Sequence, residues 1–395
     1  MSSKQQLIKA ACLSLALTNI CYMPNALAAA PAFDSGSQGT KDLICTSGHK
    51  ILKLDASGVK HYRSINIGRD CTLSFTPTGN GLGRHSVPVR LIVKNNVLIE
   101  GTINLNGSKG GDTTEFQAGQ GGIGGPGGYD GGAGGWCEGD HGRSGFGPGG
   151  GQGGFSTYSK AMGNKGVLAI LAPISANYLM QPLIGGSGGG GGYGLIYDGR
   201  PCGSGGGGGG GGALFIAASG NIQISGFISA VGGQGGIGIA EDSYSSGGGN
   251  GAMGMVRMIA NKITGTGRIE ALTILEAEHI DVTGLTVTGA VYKSPLTRRT
   301  LNIQQEPALE ITHIGRNRVT NGRIYIDKPG TTRISFKVKG MKLSKNIQLI
   351  IAVQGITPDS KKEVVAKVNP NGTGWADVEV VPGVNLITAY FKFKK

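Results

Sequence analysis

One short stretch gathers residue types that hold metals: Cys137-Glu138-Gly139-Asp140-His141. Two carboxylates beside an imidazole could bind Ca²⁺ or Zn²⁺. No second ligand pair follows at a metal-site spacing, and Cys137 is better used in a disulfide, so neither a metal nor another cofactor is expected. Gly185-Gly186-Ser187-Gly188-Gly189 matches the G-x-S-x-G pattern of serine hydrolases. A working nucleophile there needs a strand before it and a helix after it, and polyglycine produces the match by composition alone. Polysaccharide-cleaving enzymes use paired carboxylates, or an acidic metal site with a basic residue. Glu100, Glu270 and Asp281 offer few partners, and Glu276, Glu278 and His279 cluster near the end of the repeating region. No residue is assigned a catalytic role.

The aromatics suggest binding instead. Tyr129, Trp136, Phe146, Phe155, Tyr158, Tyr193, Tyr197 and Tyr244 all lie in or beside glycine-rich stretches. Aromatic faces on loops can stack on sugar rings, with neighbouring polar groups fixing orientation. The expected ligand set is Tyr129, Asp130, Trp136, Asp140, Phe146, Tyr158, Tyr193, Tyr197, Asp198 and Arg200. The alternative is that these rings pin the glycine segments together and fill what glycine cannot.

Those residues must be positioned by a glycine tract. The chain has 395 residues and 76 glycines, most of them between positions 101 and 250. From Gly119 to Tyr129 the tract repeats Gly-Gly-X with period three, and Gly131 to Trp136 resumes it after the extra residue Asp130. Gly205 to Gly212 is unbroken. One reading is a flexible linker. The other is an ordered polyglycine II bundle, a threefold extended helix without internal hydrogen bonds whose bare backbones bond to neighbouring runs. The glycine blocks alternate with strand-like segments, which favours order.

The strand-like segments repeat. Asn96–Gly111 aligns without gaps on Asn221–Gly236, each copy following an apolar strand, Arg90–Val93 or Ala213–Ile216. A weaker copy runs from Met255 to Ala271, and a trace remains at Ile280, Val282 and Gly284. Shorter alternating pieces precede them at Ile51–Leu54, Ser64–Ile67 and Thr72–Phe75. Short strands with glycine corners cannot bury an apolar face singly but can when stacked, which predicts a right-handed β-solenoid over 43–290. This pattern resembles secreted bacterial β-helix proteins with Gly-Gly-X insertions. The glycine blocks alone are similar to the polyglycine II adhesins of phage tail fibres, which carry exposed binding loops.

After a linker over 291–300 the pattern changes. Alternating strands are expected at Arg323–Ile326, Arg333–Val338, Ile347–Val353, Glu363–Val368, Trp375–Val380 and Asn385–Phe391. Their spacing predicts a β-sandwich over 301–395, and Asn371–Ala389 resembles the last hairpin of bacterial Ig-like domains. Residues 291–395 hold 18 Lys and Arg against 7 Asp and Glu, so most of the net charge of +13 lies there. Such a module could meet an anionic surface, or its charge could simply be solvated.

The start of the chain reads as a cleaved export signal over 1–28: Lys4 and Lys9, the apolar run Ala10–Leu17, and Ala26-Leu27-Ala28 at the cleavage position. Residues 29–42 read as a flexible leader. Four cysteines remain in an exported chain, so disulfides are expected. Three connectivities are possible, and the favoured one is Cys45–Cys71 with Cys137–Cys202. The expectation is therefore an all-β, exported, non-enzymatic protein at the cell surface or outside the cell, with the periplasm as the alternative location. It would bind a glycan or surface polysaccharide, without specific nucleic-acid binding and without a membrane span. A β-helix lyase or hydrolase, and a structural matrix or appendage component, are the alternatives.

Overall fold

A computed structural model describes residues 33–55, 57–76, 87–114, 117–136, 139–147, 149–155, 162–166, 183–194, 203–238, 246–296, 300–301, 308–319, 330–339, 347–354, 362–381 and 385–393. Among these the protein is all-β, with no helix. In chain order the first fourteen strands are β1 (Leu43–Lys53), β2 (Val59–Tyr62), β3 (Ile65–Thr76), β4 (Val89–Val93), β5 (Val97–Ile99), β6 (Thr102–Asn104), β7 (Ala213–Ala218), β8 (Asn221–Ile224), β9 (Phe227–Ser229), β10 (Met255–Gly265), β11 (Arg268–Glu270), β12 (Leu272–Asp281), β13 (Thr286–Val287) and β14 (Val291–Ser294). All join one 14-stranded sheet, and every pairing between them is parallel.

The pairings form three ladders. The first runs β2, β4, β7, β10, β12, β14. The second runs from the start of β1 through β3, β5 and β8 into the later halves of β10 and β12. The third runs from the rest of β1 through β3, β6, β9, β11 and β13. Identical positions of successive strands stack as apolar columns. Leu73, Ile103, Ile228, Ile269 and Val287 form one, and Ile65, Val97, Ile222, Ile263 and Ile280 another. Most are fully buried, and each such side chain contributes roughly 1.5–3 kcal/mol relative to exposure.

The gap-free internal repeat is the pairing register itself: Val97 stands opposite Ile222 and Ile103 opposite Ile228. Glycine is required at the corner between the second and third ladders. A Cβ on Gly101 would lie 2.1 Å from the carbonyl oxygen of Gly68, and one on Gly226 or Gly267 equally close to the corner below it.

Between β6 and β7, and again between β9 and β10, the chain leaves the ladders as glycine-rich runs. These are ordered by hydrogen bonds that recur every third residue. The run Ser204–Gly212 has six neighbours. Gly206, Gly209 and Gly212 donate to Gly111, Ser108 and Leu105. Ser204, Gly207 and Gly210 donate to Gly135, Gly132 and Tyr129. Gly205, Gly208 and Gly211 donate to Ser246, Gly249 and Ala252. The same run accepts from Gly119, Gly122 and Gly125, from Gly186, Gly189 and Gly192, and from Gly233 and Gly236. A threefold backbone presents one donor and one acceptor per direction, so three classes of residue serve six neighbours. The space left is that of a bare backbone: a Cβ on Gly208 would meet the Gly233 carbonyl oxygen at 2.0 Å.

Two segments depart from expectation. The stretch taken as a flexible leader contains Phe33, only 1% exposed, whose N–H donates to Asn261 Oδ1 at 2.8 Å, and Ser35, whose hydroxyl donates to the Val93 carbonyl at 2.6 Å. The stretch taken as a linker contains β14, paired to β12, and leads to Thr300, bridged to Asp34, and buried Leu301. The reason lies in the first ladder. Its strands are apolar on both faces, as β7 shows by being buried throughout, and such a strand needs cover on each side. Phe33 and Leu301 pack on Ile92, Phe215, Ala217 and Ile259. Beneath this outer face Arg257 and Glu276 are also buried, on neighbouring strands, with the Arg257 guanidinium 5.6 Å from the Phe215 ring centroid.

The remaining strands are antiparallel: β15 (Ala308–Ile314), β16 (Asn317–Arg318), β17 (Gly330–Lys339), β18 (Ile347–Gln354), β19 (Lys362–Val365), β20 (Lys367–Val368), β21 (Thr373–Val380) and β22 (Leu386–Phe393). They make a five-stranded sheet, β16-β15-β17-β21-β20, and a three-stranded sheet, β19-β18-β22. The two share one apolar cluster, with Ile334, Phe336, Val338, Ala376, Val378 and Val380 from one and Leu349, Ile351 and Val353 from the other. The strand expected over Glu363–Val368 breaks at Ala366, so that β19 and β20 join different sheets. β15 was not expected; a register shift between Ile311 and His313 interrupts its alternation. Arg323–Ile326 lies outside the described residues. The Cys45–Cys71 disulfide is present, with a Cα–Cα distance of 5.9 Å, and ties β1 to β3.

Candidate ligand-binding site

Glycine runs end where side chains resume, and one such end collects several of the expected ligand residues. The runs ending at Trp136 and Gly194 meet the segment Asp140–Arg143 and the start of the run at Gly203. The Trp136 N–H donates to Asp140 Oδ2 at 3.2 Å, and the Gly194 N–H donates to the Asp140 carbonyl at 2.8 Å. The Trp136 indole lies so close to Gly203 that a Cβ there would come within 3.0 Å of the ring. Arg143 forms a 4.0 Å ion pair with Asp140, and His141 meets the Tyr193 ring edge-on at 5.6 Å between centroids. Asp140 is exposed, Trp136, His141 and Arg143 are half-buried, and Tyr193 is buried. His141 and Arg143 were absent from the expected set. Their placement one and three residues after Asp140 was the available signal.

Other expected residues go elsewhere. Asp130 is 4% exposed, and its Oδ1 accepts the Gly124 N–H at 2.8 Å, while its carbonyl accepts the Phe146 N–H. It is the residue that interrupts the period-three repeat, and it fastens the turn between two runs. The Tyr129 backbone bridges runs by bonds to Gly186 and Gly210, and burial pushes its phenol up to about 12. Phe146 is half-buried, and its backbone is bonded on both sides, to Asp130 and Gly188. Asp130 and Tyr193 are thus parts of the packing rather than a face open to a ligand, while the Tyr129 side chain is half-buried. Tyr158, Tyr197, Asp198, Arg200, Cys137 and Cys202 lie outside the described residues. Trp136 and Gly203, the described neighbours of those two cysteines, are in contact.

Ser187 is fully buried among glycine backbone and accepts the Gly149 N–H at 3.0 Å. Glu100 faces Arg69 at 3.6 Å, and Glu270 is engaged by Arg268 and by the Ser229 hydroxyl. Among the described residues no group of three His, Cys, Asp or Glu could hold a metal ion, and no helix is long and apolar enough to cross a membrane.

A second surface lies on the outer face of the five-stranded sheet. Because the inward residues of β17 and β21 form the core, Arg333, Ser335, Lys337, Trp375 and Asp377 face outward. The register sets Arg318, His313, Ser335, Trp375 and Lys367 in one transverse row across all five strands. The row crosses an open groove of about 450 Å³ whose lining also includes Asn369 and Thr373. The Arg333 guanidinium sits 5.6 Å from the Trp375 ring centroid and the Lys367 ammonium 5.9 Å from it. Asp377 holds Arg333 by two hydrogen bonds of 2.8 and 2.9 Å, and that contact keeps its carboxyl below the usual carboxylate range. The alternation Trp375-Ala376-Asp377-Val378-Glu379-Val380 was legible as a strand; the row was not, since it needs the register of five strands. Compared with known protein families, curated proteins and solved structures, the chain matches none.

Proposed function

We propose that this is an exported, non-enzymatic adhesin that binds glycans. In this reading the three parallel ladders are the walls of a right-handed β-solenoid. The glycine runs pack as a polyglycine II bundle held out from it, and the two antiparallel sheets form an Ig-like sandwich. The observation that carries the reading is the Ser204–Gly212 run with its six hydrogen-bonded neighbours. A bundle whose interior is close-packed backbone with a few small or tightly bonded side chains has no room for a substrate. It is a rigid mount, so chemistry is left to the rim and the run ends, where Trp136, Asp140, His141 and Arg143 gather. The disulfide supports export, because such bonds persist in oxidising compartments. The test is a glycan array probed with the full chain and with Trp136→Ala. Selective binding that weakens in the variant is expected. Absence of any glycan binding would sink the reading.

A structural matrix or appendage role is the second reading. It is favoured by Ile123, Val231 and Ile237, exposed at 58%, 38% and 63% on outer glycine runs, where exposed apolar side chains could join copies of the chain. Concentration-dependent self-association in sedimentation, lost in Ile123→Ser/Ile237→Ser, would favour it over adhesion.

A further inference from the structure

The transverse row on the five-stranded sheet combines three features that are individually ordinary. Trp375 is half-buried in an open groove and presents an apolar ring. Cations surround it: Arg333 and Lys367 at the ring, Lys337 diagonally across β17, and Arg318 at the far end of the row. Neutral hydrogen-bonding groups lie between them, with Ser335 directly opposite Trp375, and with Asn369 Nδ2 donating to Thr373 Oγ1 at 3.1 Å on the groove wall. Asp377 fixes Arg333 in place, so one cation is already ordered without a ligand.

We propose that this groove binds an acidic polysaccharide, with a sugar ring stacked on Trp375 and its carboxylate or sulfate groups met by Lys367, Lys337 and Arg318. The proposal extends the glycan-binding reading to a second surface and does not depend on Trp136. The chemistry selects among polyanions. Single-stranded nucleic acid is held by successive stacking aromatics along a basic groove, whereas the two rings of this row, Trp375 and His313, stand two strands apart with Ser335 between them. An anionic membrane is met by apolar side chains projecting past the charges, whereas Trp375 is half-buried and the Arg333 and Lys367 side chains beside it are exposed. A pyranose offers a C–H face for the one indole, hydroxyls for Ser335, Asn369 and Thr373, and an acidic group for the lysines. The excess of positive charge over residues 291–395 would draw such a polymer in.

The test uses the full chain in isothermal titration calorimetry with polygalacturonate, heparin and neutral dextran. Polygalacturonate is the carboxylate arm and heparin the sulfate arm. Binding to at least one, none to dextran, and weakening with rising ionic strength are expected. Trp375→Ala should weaken binding by at least about tenfold, as for other truncated stacking aromatics. Trp375→Phe should restore most of it, and Lys367→Glu should weaken it while reducing its salt dependence. Circular dichroism melting curves identify any variant that fails to fold, in which case Trp375→Phe and Lys367→Glu decide. The proposal is overturned if the folded variants bind like the wild type. It is also overturned if single-stranded DNA or phosphatidylglycerol vesicles bind at this row and neither acidic polysaccharide does. Loss in Trp136→Ala with no change in Trp375→Ala would leave glycan binding standing and remove it from this groove. The converse would place it here alone.

Discussion

The parallel ladders and the glycine array hide backbone in opposite ways. In the ladders, side chains do it: columns such as Leu73–Ile103–Ile228–Ile269 remove apolar area from water, and the backbone bonds follow. In the array there are almost no side chains to bury. Close approach is the whole design, with N–H to O distances of 2.7–3.1 Å linking Ser204–Gly212 to its neighbours. A ladder core tolerates loss of a methylene with a graded cost. The array tolerates subtraction, because nothing is left to subtract, and has no tolerance for addition.

Substitutions make that contrast measurable. Gly208→Ala puts a methyl group where a carbonyl oxygen lies 2.0 Å away. It should destabilise the protein by more than about 5 kcal/mol, or melt the array locally, an effect at the extreme of single mutations. Denaturant unfolding with hydrogen-exchange protection across 205–212 distinguishes these outcomes, and a cost under about 1 kcal/mol would mean that the array is loosely held. Ile228→Ala, in the middle of a ladder column, should cost about 3–4 kcal/mol through lost burial and a cavity. Near-equal costs for the two would mean that array and ladders are held together in the same way.

Removing the disulfide with Cys45→Ala/Cys71→Ala should cost about 3 kcal/mol for a sequence separation of 26. It should leave exchange in the array unchanged. The smallest effect concerns acid. Asp112 sits at the array rim, where Lys109 and the Ile237 N–H hold its carboxyl below its ordinary value of 3.8. A depressed folded value contributes stability above that ordinary value and loses it as the pH falls further. Asp112→Asn should therefore slightly flatten the acid limb of the stability curve, by well under about 1 kcal/mol at so exposed a site.

The sequence disclosed the ladders well and the array poorly, for a physical reason. Pairing in the ladders is written in side chains, so Asn96–Gly111 and Asn221–Gly236 could be aligned, and the alignment continues to Asp112, whose Oδ1 accepts the Ile237 N–H at 2.8 Å. Array pairing is written in carbonyls and amides that every residue carries, so no residue type reveals that Gly207 donates to Gly132 rather than to another glycine. Tyr129 and Asp130 looked like a displayed pair because turns and run ends share composition with binding loops. The burial of Asp130, like the backbone bonds of Tyr129 to Gly186 and Gly210, depends on neighbours that sequence spacing does not identify. Phe33 and Leu301 were readable only in retrospect, from strands such as β7 that are apolar on both faces and demand cover.

The long insertion between β6 and β7 sets the order in which the molecule can assemble. Partners in the third ladder are 125 residues apart from β6 to β9, 41 from β9 to β11 and 18 from β11 to β13. Closing a longer loop costs more chain entropy before any contact rewards it. Before the insertion, partners are only 22 residues apart from β1 to β3 and 30 from β3 to β6. The strands on each side of it therefore pair locally, and the junction of β4, β5 and β6 with β7, β8 and β9 forms last. Pulse-labelled hydrogen exchange should find pairs within each part, such as β1–β3 and β10–β12, protected before the β6–β9 pair; the reverse order would refute it. A chain emerging N-terminus first can thus pair β1 to β6 early but cannot join them to β7 to β14 until the glycine-rich insertion between them has been made.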